Sequence, residues 1–287
     1  MTTPKLRPDI DFLRAQSGER RADARLRAHH ELELELAARL RTASSLDRSR
    51  VYSEVYSTLF ANLPDHPQNT KRRSSFARLE AEFRNIARFL HPGSTFLEIG
   101  CGDGALAMRV APQLAESFGM DVTEALIPRR RPANFRFILT DGVTIPLESG
   151  AIDFAYSNQL MEHLHPDDAA GQLLEIARVL SPGGHYYCST PSRASGPHDI
   201  SRYFGYEARG FHLKEYDYAE LWGLFRKAGF RRVEVLVGSG EKSCHAPFPL
   251  VRALELLVTV MPRRLRTRIA SNRYAAAVLG IQILGMK

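Results

Sequence analysis

The chain of 287 residues contains only three cysteines. Cys101, Cys188 and Cys244 lie far apart and show no CxxC spacing. The sequence therefore lacks the pattern of a zinc ribbon or of a disulfide scaffold. We expect reduced thiols in a cytoplasmic protein.

Long apolar runs are also missing. The N-terminal residues are charged throughout and contain no apolar core of about 7–15 residues, which a signal peptide needs. The longest apolar run near the C-terminus covers 275–286, which is shorter than the roughly 20 residues that cross a bilayer. We therefore expect neither export nor a membrane span.

Charge of one sign is not concentrated in any tail. The 39 Lys and Arg residues are interleaved with 32 acidic residues, for a net charge of +7, so charge alone identifies no partner. The sequence also lacks internal repeats, low-complexity tracts and an RNA-binding module, and its arginines are not interleaved with stacking aromatics. Nucleic acid is therefore not an expected partner.

The first 90 residues have helical patterns. Leu32, Leu36 and Leu40 recur at every fourth position. The letters ELELEL would also fit a strand by alternation, but the surrounding helix formers favour a helix over 18–43. Two more helical patterns cover 46–62 and 72–90. We predict a helical N-terminal cap over 1–90.

After residue 91 the pattern changes to short apolar runs that alternate with helical stretches. This order predicts an α/β fold with a mainly parallel, seven-stranded sheet covered on both faces. We assign 91–240 and 277–287 to this core, and 241–276 to a helical insertion before the last strand. The predicted strands are TFLEIG, SFGMDV, FRFILT, IDFAYS, GGHYYCST, RRVEVLVG and, returning beside the sixth, GIQILGMK; the predicted helices cover 104–115, 123–127, 167–180 and 218–228.

A glycine-rich turn follows the first strand. Gly100, Gly102 and Gly104 lie between FLEI and a helical stretch, where the backbone must turn sharply and let a ligand come close. The same turn, with Ala105 and with Asp121 about 20 residues further on, also fits the dinucleotide pattern. The turn alone therefore predicts a nucleotide-like ligand without choosing between cofactors.

A series of motifs narrows this prediction. Glu98 precedes the glycines, Asp121 ends the second strand, Asp141 and Gly142 follow the third, and the fourth strand is IDFAYSN. The phrase RVLSPGG then precedes the fifth strand. Through these motifs, residues 96–191 resemble the class I S-adenosylmethionine-dependent methyltransferases, especially the broad type 11/12 group. The resemblance implies a Rossmann-like fold, S-adenosyl-L-methionine as cofactor and S-adenosyl-L-homocysteine as product.

The resemblance also assigns roles within the cofactor site. Asp121 would accept both ribose hydroxyls, because a carboxylate has two acceptor oxygens. Asp141 would read the adenine amino group, Gly142 would let the chain pass the ring, and Glu98 would order the glycine loop. Cys101 is expected to fill the turn rather than to act as a nucleophile. The expected cofactor-binding residues are Glu98, Gly100, Cys101, Gly102, Gly104, Asp121, Val122, Asp141, Gly142 and Asn158.

Glu162 and His163 follow the fourth strand, and His212 precedes a later helix. Ubiquinone-type O-methyltransferases and small-RNA 3′-end methyltransferases resemble this arrangement, and some bind a divalent ion through it with an acid three positions before the Glu. Here that position holds Gln159, a poorer ligand for a hard cation. We therefore expect His163, with Glu162 and His212, to serve the acceptor as a base or contact. A metal held by this cluster and a purely structural pair are the alternatives.

The sequence indicates the residues that would bind the methyl acceptor less clearly. The segment 191–217 is long, irregular and aromatic, as functional loops often are, and we predict His198, Asp199, Arg202 and Tyr203 as substrate-binding residues. The resemblance implies O-methylation of a small molecule or of a glycan- or lipid-linked acceptor. The alternatives are N- or C-methylation and a non-catalytic nucleotide-binding scaffold.

The insertion carries an apolar stripe and several arginines. Leu250, Leu254, Leu257 and Val258 recur at helical spacing. We expect this stripe to pack on its own domain with the arginines in water. Peripheral contact with an anionic membrane is the alternative. The arginines are Arg263, Arg264, Arg266, Arg268 and Arg273.

Overall fold

The structure is a computed structural model that describes residues 4–66, 76–124, 126–238 and 240–287. Within these ranges one sheet has the strand order β3-β2-β1-β4-β5-β8-β6-β7. The strands are β1 Thr95–Ile99, β2 Glu116–Asp121, β3 Phe135–Leu139, β4 Ile152–Asn158, β5 Leu180–Thr190, β6 Arg232–Val237, β7 Cys244–Ala246 and β8 Ile281–Met286.

Helices precede the sheet and cover it. They are α1 Ile10–Ser17, α2 Asp23–Thr42, α3 Ser45–Asn62, α4 Phe76–Ile86, α5 Ala105–Val110, α6 Pro166–Val179, α7 Tyr218–Lys227, α8 Phe248–Val260, α9 Arg263–Ala270 and α10 Arg273–Leu279. None of the helices in the described residues is long and apolar enough to cross a membrane.

Five neighbouring strands of the sheet, β1 to β5, are parallel. Their carboxyl ends therefore meet at one edge, where such sheets bind ligands. The last strand, β8, runs antiparallel to both β5 and β6. The sequence predicts its position beside β6.

The sheet has one strand more than the predicted seven. Cys244–Ala246 pairs antiparallel with β6 at the edge of the sheet. It lies in the stretch that the sequence pattern assigns to the helical insertion. Three residues give too short an alternation to be recognised as a strand from sequence.

Side chains of alternate residues in β1 pack on opposite faces of the sheet, as the pleat requires. Phe96 belongs to an apolar cluster that includes residues of α5, whereas Leu97 and Ile99 belong to one that includes residues of α3, α6 and α7. Burial on both faces explains why the strand is almost continuously apolar.

Residues at the starts of two helices carry recognisable capping signals. Asp217 and Glu220 form a capping box at the start of α7, which satisfies free backbone N–H groups. Pro166 occupies the first turn of α6, where its missing N–H costs nothing.

Two of the predicted helices differ from the structure. The described residues 123, 124, 126 and 127 are not helical, although the sequence pattern predicts a short helix over 123–127. Of the helix expected over 72–90, residues 72–75 lie outside the described residues, and Phe76–Ile86 is helical. The helix α1 was not predicted.

A buried ion pair joins the N-terminal helices to the sheet region. Nε and Nη2 of Arg48 on α3 each donate to the carboxylate of Asp168 on α6, at 2.7 Å. The hydroxyl of Tyr52 donates to the same carboxylate at 3.1 Å. The bidentate geometry fixes α3 over the carboxyl edge of the sheet.

Candidate functional site

The glycine turn after β1 adopts a conformation that few other residues reach. Gly100, Gly102 and Gly104 have φ angles of 70°, 58° and 68°, in the left-handed region. The backbone N–H groups of Gly100 and Cys101 both donate to the carbonyl of Met120, at 2.8 and 3.0 Å. The turn is therefore attached to β2, and the chain can start α5 directly after it.

Two acids hold this turn in place. Oδ2 of Asp121 accepts the N–H of Gly102 at 2.8 Å. Oε2 of Glu98 accepts the N–H of Ala107, in the first turns of α5, at 2.9 Å. Burial raises the pKa of Glu98 well above its ordinary value. Glu98 thus holds the first turn of α5, and its expected role in ordering the glycine loop stays a prediction.

A cavity of about 440 Å³ opens beside the turn, at the carboxyl ends of β1, β2 and β4. This volume lies in the usual range for small-molecule sites, roughly 300–1,000 Å³. Gly104 and Asp141 are the two expected cofactor residues that do not line it. Those that do are Glu98, Gly100, Cys101, Gly102, Asp121, Val122, Gly142 and Asn158.

Asp141 is instead engaged by the turn that follows β3. Its Oδ1 accepts the backbone N–H groups of Val143 and Thr144 at 2.8 and 2.7 Å, and its Oδ2 accepts the hydroxyl of Thr144 at 2.8 Å. Partial burial acts to raise the pKa of Asp141, but these hydrogen bonds outweigh it and hold the pKa below its ordinary value. The adenine role expected for Asp141 therefore stays a prediction without support from the cavity.

Gln172 on α6 was not predicted, although it lines the cavity beside Gly142. Its Nε2 donates to the carbonyl of Gly142 at 2.6 Å. Its Oε1 is buried and accepts no hydrogen bond from the described residues. A buried acceptor without a donor is costly, so Gln172 is a candidate for contact with a ligand donor.

Helices before β1 supply other walls that the sequence did not predict. Glu82 on α4 accepts a hydrogen bond from Nδ2 of Asn158 at 3.2 Å and one from Nε of Arg78 at 3.1 Å. From α3, Tyr56 and Phe60 line the cavity. The helical patterns are visible in the sequence, but nothing local shows which face meets the glycine turn.

His163 lines the same cavity. Its Nδ1 lies 3.0 Å from the carbonyl oxygen of Phe211. A carbonyl only accepts, so Nδ1 carries the proton and Nε2 has a free lone pair. Burial, and then the charge on His212, lower the pKa of His163 to about 3. The ring is therefore neutral at pH 7.

His212 and Glu162 lie next to His163. The rings of His163 and His212 are 4.9 Å apart between centroids. Nδ1 of His212 donates to Glu215 at 2.7 Å. Burial alone would lower the pKa of His212, but the bond to Glu215 and the charge of Glu162 raise it to about 9.

Glu162 is buried, and burial raises its pKa. Oε2 accepts the hydroxyl of Thr190 at 2.8 Å, and Oε1 has no donor among the described residues. Glu162, His163 and His212 each offer one possible ligand atom, and these three atoms lie within 4.8 Å of one another. Gln159 lines the cavity.

None of the four predicted substrate-binding residues lines the cavity. Nε2 of His198 is 2.9 Å from Oγ of Ser195, and Oδ2 of Asp199 accepts the N–H of Gly210 at 2.7 Å. The carbonyl of Arg202 accepts from Arg7, and the hydroxyl of Tyr203 lies 2.8 Å from Oγ of Ser17. These residues hold the segment 191–217 together and attach it to the N-terminal helices.

A mainly parallel sheet, a glycine turn after its first strand and an acid at the end of the second define a Rossmann-like nucleotide-binding protein. Residues 70–235 match a family model described as a methyltransferase domain. Because the match covers more than half of the chain, the protein belongs to this family, the class I S-adenosylmethionine-dependent methyltransferases. The predicted family is thus confirmed.

A curated relative supports this assignment. A probable S-adenosylmethionine-dependent methyltransferase of Mycolicibacterium smegmatis is 32% identical over 163 residues, which are 56% of this chain and 61% of that protein. The chain thus spans about three fifths of that relative's length.

Two solved structures show the same fold. A methyltransferase from Thermotoga maritima, described as a possible histamine N-methyltransferase, is 18% identical with a TM-score of 0.53, covering 79% of this chain and 98% of that one. The 1,6-didemethyltoxoflavin-N1-methyltransferase of Burkholderia thailandensis, with S-adenosylhomocysteine bound, is 18% identical with a TM-score of 0.51, covering 85% and 91%. The predicted Rossmann-like α/β fold is confirmed.

Proposed function

We propose that this protein transfers the methyl group of S-adenosylmethionine to an oxygen of a small molecule or of a glycan- or lipid-linked acceptor. The observation that carries the proposal is that one cavity is lined both by the joined pair Gly102 and Asp121 and by the neutral ring of His163. Residues suited to bind the cofactor and a histidine suited to contact a hydroxyl acceptor thus line the same cavity.

The residues of the cavity fit the cofactor. The carboxylate of Asp121 would accept the ribose hydroxyls, and the unpaired Oε1 of Gln172 would accept the adenine amino group. Arg78 and Glu82 carry the opposite charges that the carboxylate and the ammonium of the methionine part require. We propose Gln172, rather than Asp141, as the residue that reads adenine.

Methyl transfer depends mainly on the alignment of the acceptor with the methyl carbon and on the exclusion of water. Proton transfer is less important. When bound, the cofactor supplies a methyl carbon on a positively charged sulfur. Tyr56 and Phe60 line the cavity with ring surface, which keeps water from the reacting atoms. The acceptor hydroxyl would become strongly acidic as its oxygen bonds to the methyl carbon and the carbon–sulfur bond breaks, and His163, a base of low pKa, would take the proton at Nε2.

A second candidate role for the same residues is to hold a divalent cation. His163 and His212 each use Nδ1 in a hydrogen bond, to Phe211 and Glu215 respectively. His163 is neutral and keeps the lone pair of Nε2, whereas His212, whose pKa is raised to about 9, would give up its Nε2 proton on binding a cation. Glu162 would contribute its unpaired Oε1. Outer hydrogen bonds of this kind orient metal ligands. An ion there would assist the acceptor hydroxyl in losing its proton.

Calorimetry with S-adenosylmethionine, S-adenosylhomocysteine and NAD tests the cofactor. We expect both sulfur nucleosides to bind and NAD not to bind; failure of both to bind would overturn the proposal. Transfer of an isotope-labelled methyl group into a cell extract, followed by carbon NMR of the labelled product, then identifies the methylated atom, because O-, N- and C-methyl carbons differ in chemical shift. No transfer to any extract would favour the scaffold alternative.

Chelation separates the two roles of the histidine cluster. If His163 acts as a base alone, treatment with EDTA and desalting leaves turnover unchanged. If the cluster holds a cation, turnover falls and returns when Mg²⁺, Mn²⁺ or Zn²⁺ is added.

A further inference from the structure

The helix α8 has one face that packs on the protein. Val251, Glu255 and Val258 are its buried residues. Glu255 accepts the hydroxyl of Ser192 at 2.9 Å and the backbone N–H of Tyr218 at 3.2 Å. These bonds attach α8 to the segment that follows β5 and to the start of α7, which fixes the direction in which the rest of the helix points.

The remaining face of α8 is apolar and exposed. Leu250, Leu254, Leu257 and Val260 are 55%, 40%, 55% and 78% exposed, and their spacing puts them on one side of a helix. The stripe that the sequence predicts to pack on its own domain does so only through Val258. Among the described residues, six of the ten exposed large hydrophobic side chains lie in 250–265: Leu250, Leu254, Leu256, Leu257, Val260 and Leu265.

Positive charge lies next to this apolar face. Between 247 and 287 the sequence has a single acid, Glu255, and that side chain is buried and paired with Arg252. Arg263, Arg264 and Arg268 on α9 are exposed. The surface formed by α8 and α9, here called the α8–α9 surface, is therefore apolar and positively charged.

We propose that the α8–α9 surface binds an anionic lipid bilayer. Exposed leucines next to arginines are the composition of helices that lie in the interface of acidic membranes. A second copy of the chain would cover the leucines but would bring like charges together. A nucleic acid would leave the leucines in water, and Phe248, the aromatic residue of α8, packs on Trp222 at 4.4 Å between ring centroids. The inference does not depend on which acceptor is methylated.

Sedimentation of the full chain with vesicles tests the proposal. We expect the protein to sediment with phosphatidylglycerol–phosphatidylcholine vesicles and not with phosphatidylcholine vesicles, and to be released by salt. The variants Leu254→Glu/Leu257→Glu and Arg263→Gln/Arg264→Gln should each weaken binding at least about tenfold. The matched control Leu46→Glu/Leu174→Glu changes two exposed leucines elsewhere and should bind like the unchanged protein.

Three results would overturn the proposal. They are absence of binding to the anionic vesicles at low salt, equal binding of Leu254→Glu/Leu257→Glu and of the control, and a dimer that this double variant disrupts without any vesicle binding. Calorimetry with S-adenosylhomocysteine shows for each variant whether the cavity is intact. A Leu257→Trp variant gives a second measurement, because its fluorescence should shift to the blue when anionic vesicles are added.

Discussion

Glu33 on α2 accepts the backbone N–H of Phe211 with its Oε2 at 3.1 Å. The carbonyl of the same Phe211 accepts the Nδ1 proton of His163 at 3.0 Å. Oε1 of Glu33 is 2.6 Å from Nε2 of His29 and 3.6 Å from Nε2 of His66. A buried carboxylate of the N-terminal helices is thus linked through one residue to the candidate base.

Replacing Glu33 by Gln should therefore affect both stability and turnover. Burial acts to raise the pKa of Glu33, but hydrogen bonds from His29 and His66 lower it strongly, so the side chain is a carboxylate that holds several donors. We expect the free energy of unfolding in urea to fall by roughly 1–3 kcal/mol. We also expect turnover to fall more than affinity for S-adenosylhomocysteine, because Phe211 and His163 lose their fixed position. Glu31→Gln, an exposed site two residues away, is the control, and equal effects of the two variants would contradict the link.

The parts of the site that the sequence predicts are those built by consecutive residues. A strand, a glycine turn and a helix start lie next to one another in the chain, so the sequence alone places Glu98, Gly102 and Asp121. The bond between Gly102 and Asp121 follows from the pairing of β1 with β2. Adjacent parallel strands have their carboxyl ends at the same edge of the sheet, so no long-range contact has to be known to predict that these residues meet.

The parts that could not be predicted depend on contacts between distant segments. Gln172 and Tyr56 reach the cavity because α6 and α3 pack over it, and a helical pattern does not say which neighbour its faces meet. The same holds for α8, where the period of 3.6 predicts the helix correctly but Glu255 is buried and Leu257 exposed. His198 and Asp199 were expected at the acceptor because polar residues in a long loop look alike, whether they face a ligand or the rest of the loop.

Adenine recognition by Gln172 can be tested with an altered ligand. S-Inosylhomocysteine has an oxygen in place of the adenine amino group and would bring an acceptor against Oε1 of Gln172. We expect the unchanged protein to bind it at least about tenfold more weakly than S-adenosylhomocysteine. Gln172→Met should bind S-adenosylhomocysteine more weakly and lose most of this discrimination, whereas Gln113→Met, at an exposed site, should keep it. Undiminished discrimination in Gln172→Met would show that another group reads the base.

His163→Gln should lower turnover by about 100-fold or more, the usual contribution of a positioned base or acceptor contact. Affinity for S-adenosylhomocysteine, measured by calorimetry, should stay the same, because we propose that the ring contacts the acceptor and not the cofactor. His165→Gln is the matched control, since His165 caps α6 and is not part of the cavity wall. Full turnover of His163→Gln on the true acceptor would remove His163 from the mechanism.

The stability of the segment 191–217 should depend on pH through His198. Burial lowers the pKa of His198 to about 4, whereas an unfolded histidine has a pKa of about 6.5. Between these values the unfolded chain binds more protons than the folded one, so stability falls as the pH decreases from 6.5 to 4. His198→Asn removes this contribution. The difference in unfolding free energy between the unchanged protein and the variant should therefore decrease by about 1–2 kcal/mol as the pH falls from 7 to 5. Urea titrations at each pH would measure it. A difference that stays constant over this range would mean that His198 takes up its proton in the folded protein as readily as in the unfolded chain.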